Sequence, residues 1–319
     1  MAEQISVVAT VRDERSTLPA FLDALFEQSR AADELIVVDG GSRDGSFELL
    51  LEQARIRPVL RVERAPGANI SAGRNAAIRV AGGSVIAVTD AGAVADRDWL
   101  ARLVEPFEHD GDVGVVSGWF RPGGGTPFER ALGAIITPHL REVRAETFLP
   151  SSRSVAFRRG WWERVDGYPE WLSHCEDLVF DLEVRRQGAQ FAFRPEAVVT
   201  WTSRSSLRQF FRQYFLYARG DGHAGLWPRR HLARYSAYAT GAGVLLASRR
   251  VMARVALGGG LVIYLAKFER RVWRHLGWSR DGLRAGALVP VVVVTGDTAK
   301  MLGYPVGLLR RRRDSMAPR

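Results

Sequence analysis

The run Val85-Ile86-Ala87-Val88-Thr89-Asp90-Ala91-Gly92 is the feature that most limits what this chain can fold into. Four apolar residues, three of them β-branched, lead through Thr89 into a carboxylate and then a small, turn-prone pair. An apolar run of this kind suits a central parallel strand covered on both faces. An acid at the carboxyl end of such a strand points to the crevice where open α/β sheets bind ligands. Taken alone, Asp90 reads more simply as a cap on the following turn. The rest of the chain reverses that preference.

Residues 5–10 (Ile-Ser-Val-Val-Ala-Thr) form a first predicted strand, which breaks into the charged turn Val11-Arg12-Asp13-Glu14-Arg15. Ser16 is the expected N-cap of a helix with Leu18, Phe21, Leu22 and Leu25 on one face. Residues 34–39 are a second strand that ends in an acid, Asp39, ahead of Gly40-Gly41-Ser42-Arg43-Asp44-Gly45-Ser46 and a further helix. Strand, helix, strand, helix at this spacing implies right-handed crossovers and a parallel sheet, hence an α/β protein. The turn after Asp39 lacks the Gly-x-Gly-x-x-Gly of dinucleotide-binding proteins. Its acid precedes the glycines instead of following them by some 20 residues.

Acids at the ends of two strands, together with a first strand that breaks at Thr10-Val11-Arg12-Asp13-Glu14, resemble glycosyltransferase family 2 and its GT-A fold. The run Val38-Asp39-Gly40-Gly41-Ser42-Arg43-Asp44-Gly45 is similar to the family's Asp-Gly-Gly-Ser-x-Asp-Gly, whose acid contacts the nucleotide base. The resemblance implies donor-binding roles for Thr10, Arg12, Glu14 and Asp39. Ala72-Gly73-Arg74-Asn75 looks like the family's Ala-Arg-Asn segment. It implies that Arg74 and Asn75 lie near base or phosphates, and a planar guanidinium at the first turn of a helix suits a diphosphate. Asp90-Ala91-Gly92 falls where the family has its metal-binding Asp-x-Asp, with the second carboxylate missing. One carboxylate with phosphate oxygens and water still suffices for Mg²⁺ or Mn²⁺, so a divalent cation at Asp90 is expected.

Further along, Ser151 and Ser152 lie in a run that resembles the family's donor-sugar pocket, although a plain turn reads the same residues equally well. In His174-Cys175-Glu176-Asp177-Leu178 two acids open a helix, where they also suit the helix dipole. The family's Glu-Asp at this place supplies the general base. The resemblance therefore makes Asp177 the catalytic residue and Glu176 its support. Gln209-x-x-Arg212 partly matches the Gln-x-x-Arg-Trp of processive members, but Gln213 replaces the Trp, which argues against a polymer-extruding synthase. Arg212 and Arg219 are candidate diphosphate contacts.

The charge is divided unevenly. From residue 229 onward there are 18 Lys and Arg against 4 Asp and Glu, whereas residues 1–228 carry 27 against 31. A mildly acidic body with a basic, apolar tail suggests a partner for the tail alone. The body, 1–228, is expected to be the catalytic domain and 229–319 a membrane-associated helical region. Apolar runs at 235–248, 251–268 and 283–309 are interrupted by Arg254, three glycines, Pro290, Asp297, Lys300 and Pro305. None gives some 20 clean residues. Interfacial or re-entrant helices between arginine clusters fit best, one or two true spans next, and a soluble helical lid last. Nucleic acid is disfavoured because the basic residues alternate with apolar runs. Cys175 is the only cysteine, which suits a reducing compartment, and Met1-Ala2-Glu3-Gln4 has no signal-peptide pattern.

The expectation is an inverting transfer of one sugar from a nucleoside-diphosphate sugar to an acceptor hydroxyl, lipid-linked or in a cell-envelope glycan, at the cytoplasmic face of the cell membrane. A sugar-nucleotide nucleotidyltransferase and a catalytically degenerate, membrane-bound sugar-nucleotide-binding module are the alternatives. The first lacks its Gly-rich loop after the opening strand, and the second is opposed by the retained Glu176-Asp177.

Overall fold

Strand β1 (Ile5–Val11) is buried along nearly its whole length and sits between two parallel neighbours. One neighbour is β2 (Glu34–Asp39), the other β4 (Val85–Val88). The computed structural model describes residues 3–316. Beyond β2 lies β3 (Leu60–Arg64), again parallel, so β3-β2-β1-β4 is one parallel block. β1, β2 and β4 are mostly apolar because helices cover both faces of the block, whereas the edge strand β3 carries Arg61, Glu63 and Arg64. Val7, Ala9, Leu35 and Val37 meet one apolar layer, and Val8, Ile36, Val38 and Val88 the other.

The helices follow the predicted crossovers. α1 (Leu18–Phe26) buries the four expected residues, but Ser16 does not cap it. Thr17 takes the N-cap position without a side-chain bond along the helix, its hydroxyl turned back to Glu14. α2 (Ser46–Ile56) follows β2, and α3 (Ile70–Val80) follows β3. Asn69 caps α3 by accepting from Ala72 N–H. Arg74 is therefore one turn deeper into its helix than the sequence suggested.

Past β4 the pairing reverses. β7 (Val155–Arg158) is antiparallel to β4 and to β6 (Val113–Gly123). The short β5 (Ala93–Ala95) is antiparallel to β8 (Gln190–Thr202), which completes the order β3-β2-β1-β4-β7-β6-β8-β5. Residues 190–202 form one continuous strand through Pro195. A proline costs a strand only the bond its own N–H would make. α4 (Trp99–His109) lies between β5 and β6, α6 (Arg159–Arg164) follows β7, and α7 (Glu176–Arg186) precedes β8.

Two compact units result. The first is the chain up to Arg121 with Val143–Trp201; the second is Pro122–Glu142 with Thr202 onward. The second unit contains α5 (Pro127–Ile136), α8 (Leu207–Ala224), α9 (Pro228–Ala247), α10 (Val251–Leu276) and α11 (Arg280–Met316). α11 runs unbroken through Pro290 and Pro305 because it is held laterally by α8. Helices Val251–Leu276 and Arg280–Ser315 are long and apolar enough, by length and composition, to cross a membrane.

Candidate active site

The carboxyl ends of β1 and β2 carry two turns that lock together. Asp13 N–H donates to Ser42 Oγ at 2.9 Å, Glu14 N–H to Ser46 Oγ at 3.0 Å, and Arg43 N–H returns to Asp13 Oδ1 at 2.8 Å. Asp39 is fully buried and accepts from Gly41 and Ser42 N–H at 3.0 and 3.1 Å. Its carboxylate thus shapes the turn itself. Gly41 sits at φ +94°, with Pro66 Cα only 3.3 Å from where a Cβ would stand, so the 66–69 turn can close over it. Thr10 lies against Gly73, where an added Cβ would meet its methyl at 2.8 Å. Arg12 is exposed, and Glu14 Oε2 accepts the Thr17 hydroxyl at 2.8 Å.

The centre of the unit is Arg74. Its side chain is 2% exposed; Nη2 donates to Asp90 Oδ1 and Nη1 to Glu176 Oε1, each at 2.8 Å. Three segments distant in the chain, α3, the end of β4 and the start of α7, are joined by one planar cation. Burial alone would favour losing the proton, but Asp90 and then Glu176 reverse this, so the guanidinium stays firmly charged. Burial, and then neighbouring Asp177, push the Glu176 carboxyl above the ordinary carboxylate range, with Arg74 opposing them. Cys175, in the left-handed region at φ 64°, turns the chain sharply into α7 and sets Glu176 and Asp177 at its first turn.

Asn75 is buried, and its amide is fully used within the protein. Nδ2 donates to Tyr168 O at 2.8 Å and Glu170 Oε1 at 2.9 Å, while Oδ1 accepts from Tyr168 N–H and Trp162 Nε1 at 2.9 and 3.0 Å. It builds the wall behind Arg74. Ser152 Oγ lies 3.4 Å from Tyr168 OH, and Ser151 Oγ accepts from Arg153 Nη1 at 3.1 Å. Arg153 Nε in turn lies 3.9 Å from Asp90 Oδ2. Asp90 therefore stands between two guanidiniums. Asp39 is two strands away at the same end of the sheet, roughly 10 Å at ordinary strand spacing. Arg212 and Arg219 are on α8 in the second unit.

Several residues here were not singled out by the sequence. Arg153 adjoins Ser151 and Ser152, but nothing in the sequence marks it apart from the many other arginines. Tyr168 packs on Phe180 with ring centroids 4.3 Å apart and lies 5.4 Å beneath the Arg74 guanidinium. Asp181, one helical turn after Asp177, is buried, and its Oδ2 has no hydrogen-bond partner. Burial and then Asp177 push its pKa well up, so it holds a proton where an exposed aspartate would not. The four-residue spacing was visible in the sequence; the burial was not.

Among the described residues, no group of three or more His, Cys, Asp and Glu could hold a metal ion. The Asp90 side chain is 30% exposed, with Arg74 occupying Oδ1. That donor set fits a hard divalent cation only if donor phosphates and water complete its shell.

A parallel block with locked turns and acids at its carboxyl ends, continued by an antiparallel half, is the architecture of the GT-A fold. Residues 6–166, half of the chain, match the family described as Glycosyl transferase family 2, and the chain belongs to that family: it is a nucleotide-sugar-dependent glycosyltransferase. It is 25% identical over 224 residues to the O-antigen chain rhamnosyltransferase RfbN of Salmonella typhimurium, covering 66% of this chain and 70% of that one. To the succinoglycan biosynthesis protein ExoA of Rhizobium meliloti it is 27% identical over 312 residues, covering 92% of each. Among solved structures it resembles the mannosyltransferase PcManGT of Pyrobaculum calidifontis, in complex with GDP-Man and Mn²⁺, at TM-score 0.65. That alignment has 22% identity and covers 93% of this chain and 87% of the other; the likeness is one of fold.

Proposed function

We propose that this enzyme transfers a single sugar, with inversion, from a nucleoside-diphosphate sugar to an acceptor hydroxyl in the synthesis of a cell-envelope glycan. The observation that carries this reading is the Arg74 bridge, which holds Asp90 and Glu176 in one small volume beside Asp177. Asp177 accepts the proton of the acceptor hydroxyl. The acceptor oxygen forms its bond to the anomeric carbon as the bond from that carbon to the phosphate oxygen breaks. The nucleoside diphosphate leaves with the electron pair. Glu176, anchored by Arg74, fixes the first turn of α7 and so the direction of Asp177.

The turns at 10–15 and 39–46, with Thr10, Arg12, Glu14 and Asp39, are assigned to the nucleoside. Ser151 and Ser152 border the donor sugar, and Asn75 acts by holding the wall at Tyr168. Arg74 and Arg153 face the diphosphate, and we add Arg212 and Arg219 as further phosphate contacts. A divalent cation, Mg²⁺ or Mn²⁺, carried by the diphosphate and ligated by Asp90, would offset charge on the leaving group. The Mn²⁺ beside GDP-Man in the Pyrobaculum enzyme supports a cation of this kind.

Residues 1–228 are proposed to carry the chemistry and 229–319 the membrane contact; this is a division of roles and not of compact units. O-antigen and succinoglycan synthesis, named for the relatives, support an envelope acceptor, lipid-linked or glycan. A basic, apolar tail supports the cytoplasmic face of the membrane. The test supplies labelled UDP-, GDP- and TDP-sugars with membrane extract, with and without Mn²⁺, and reads the anomeric configuration of the product by NMR. Asp177→Asn should fold normally and lose nearly all transfer. A retained anomeric configuration, or wild-type turnover in that variant, would refute the mechanism.

A further inference from the structure

Between residues 222 and 268 the chain has no Asp or Glu, yet it carries Arg229, Arg230, Arg234, Arg249, Arg250, Arg254 and Lys267. This stretch covers α9 and most of α10, joined by the short link 248–250. Gly241 faces Leu257, a Cβ on the glycine standing 3.6 Å from Leu257 Cδ1, so residues equally far from the link meet and the pair is a hairpin. At its middle the hairpin is fastened to α11. Asp297 accepts from Arg234 Nε at 2.9 Å, from Tyr264 OH at 2.7 Å and from Tyr238 OH at 3.3 Å.

Beyond that fastening, apolar side chains face outward on both helices. Leu246 is 88% exposed, Met252 78% and Ile263 75%, and Leu245, Val255 and Val262 are exposed as well. None of the most apolar stretch of α10 is buried. α11 is equally apolar, but Ala285, Val289, Val292 and Ala299 are buried in the unit, so much of its apolar surface is already covered. An apolar hairpin bordered by arginines and free of acids is complementary to anionic lipid.

α10 as a whole is long enough to cross, so the spacing of the charges decides how the hairpin would lie. Charge-free residues number 13 on α9, at 235–247, and 12 on α10, at 255–266. At 1.5 Å per residue these reach about 20 and about 18 Å, against a hydrocarbon core of about 30 Å. A crossing hairpin would hold arginines inside the hydrocarbon, which is costly. Lying along one leaflet keeps every cation at headgroup level and the leucines among the acyl chains.

We infer that the α9–α10 hairpin lies along the headgroup–acyl boundary of a single leaflet of an anionic bilayer and does not cross it. This refines the membrane contact proposed above. Its test reads lipid contact without substrate, so it fails or succeeds separately from the chemistry. Full-length protein with Cys175→Ser receives one fluorescent label at Leu246→Cys or at Ile263→Cys. It is then mixed with phosphatidylglycerol–phosphatidylcholine vesicles carrying quenchers at the headgroup or at the acyl-chain end. Both labels should be quenched more by the shallow quencher. Binding should fall about tenfold or more on vesicles of phosphatidylcholine alone, since each cation near an anionic surface contributes. A second variant, Arg249→Glu with Arg250→Glu, should lose the preference for phosphatidylglycerol. Stronger quenching by the deep quencher would establish a crossing and overturn the inference. Labels that stay unquenched, or that are shielded in a lipid-free dimer, would overturn it as well.

Discussion

Arg74 and Asp90, sixteen residues apart in sequence, meet through a 2.8 Å contact between Nη2 and Oδ1, and the other arm of the same guanidinium grips Glu176. An ammonium cannot make both contacts in one plane. Arg74→Lys is expected to keep the fold and lower kcat by about a hundredfold, because misplacing the start of α7 misaims Asp177, the proposed base. Arg74→Ala should also destabilise by about 3–5 kcal/mol, since it leaves the buried Glu176 without its cation. Steady-state kinetics with chemical denaturation separate the two effects. A wild-type kcat in the lysine variant would remove the positioning role.

Asn75 gives a prediction of the opposite kind. Asn75→Ala leaves the Tyr168 N–H, the Tyr168 carbonyl and the Trp162 indole without their partner. Unsatisfied buried groups of this sort cost about 1–3 kcal/mol each. The variant should lose about 3 kcal/mol or more of stability in urea unfolding. The KM for the donor in the folded fraction should change little. A raised KM with unchanged stability would give Asn75 a direct contact with the nucleotide.

The three inner strands of the parallel block were legible because they are mostly apolar and lead into Thr10, Asp39 and Asp90, a pattern set by local chemistry; the edge strand β3, with Arg61, Glu63 and Arg64, carries no such pattern. The helix opening at Glu176 was legible from its acids. The Arg74 bridge was not, because residues 74, 90 and 176 meet only after three crossovers, and no local pattern records which carboxylate a given arginine will find. The burial of Asp181 is hidden for a similar reason: a polar residue on a helix reads as exposed, and only the tertiary packing around α7 buries it. In the tail, Pro290 and Pro305 interrupt an apolar run in the sequence, yet α11 continues through both. Its Gly303 and Gly307 let it approach the α8 backbone, where Cβ atoms would stand 2.2 Å from Phe215 O and 2.1 Å from Arg219 O, a contact that no local pattern records.

That close approach is itself testable. Gly303→Ala places a methyl group against a carbonyl that cannot move without disturbing α8. A loss of about 1–3 kcal/mol is expected, as for overpacking elsewhere. Thermal unfolding of the variant checks this, and an unchanged midpoint would mean that the two helices can slide apart without cost.

If Asp90 ligates the cation as proposed, it does so without a cluster of protein ligands, since among the described residues no group of three or more His, Cys, Asp and Glu could hold a metal ion; the ion should therefore bind with the donor and not before it. Calorimetry should find no saturable Mn²⁺ binding to the protein alone, and clear binding once a nucleoside diphosphate is present. Asp90→Asn should raise the Mn²⁺ concentration needed for half-maximal transfer by about tenfold or more. Tight Mn²⁺ binding without nucleotide would point to ligands other than Asp90.

Asp181 contributes to the pH dependence of stability. Its folded pKa is raised, chiefly by burial and next by Asp177, so over that window the folded state binds more protons than the unfolded chain. Stability must then fall as pH rises from the ordinary carboxylate value through the raised folded value. Below that window the group is protonated in both states and contributes no slope. Asp181→Asn is neutral at every pH and nearly the same shape, so it should flatten the curve of unfolding midpoint against pH and gain most at the alkaline end. If the group instead kept an ordinary pKa, wild type and variant would run parallel from mildly acidic to alkaline pH. Parallel curves would mean that a charged Asp181 is tolerated beside Asp177, and that the buried Oδ2 has a partner in solution.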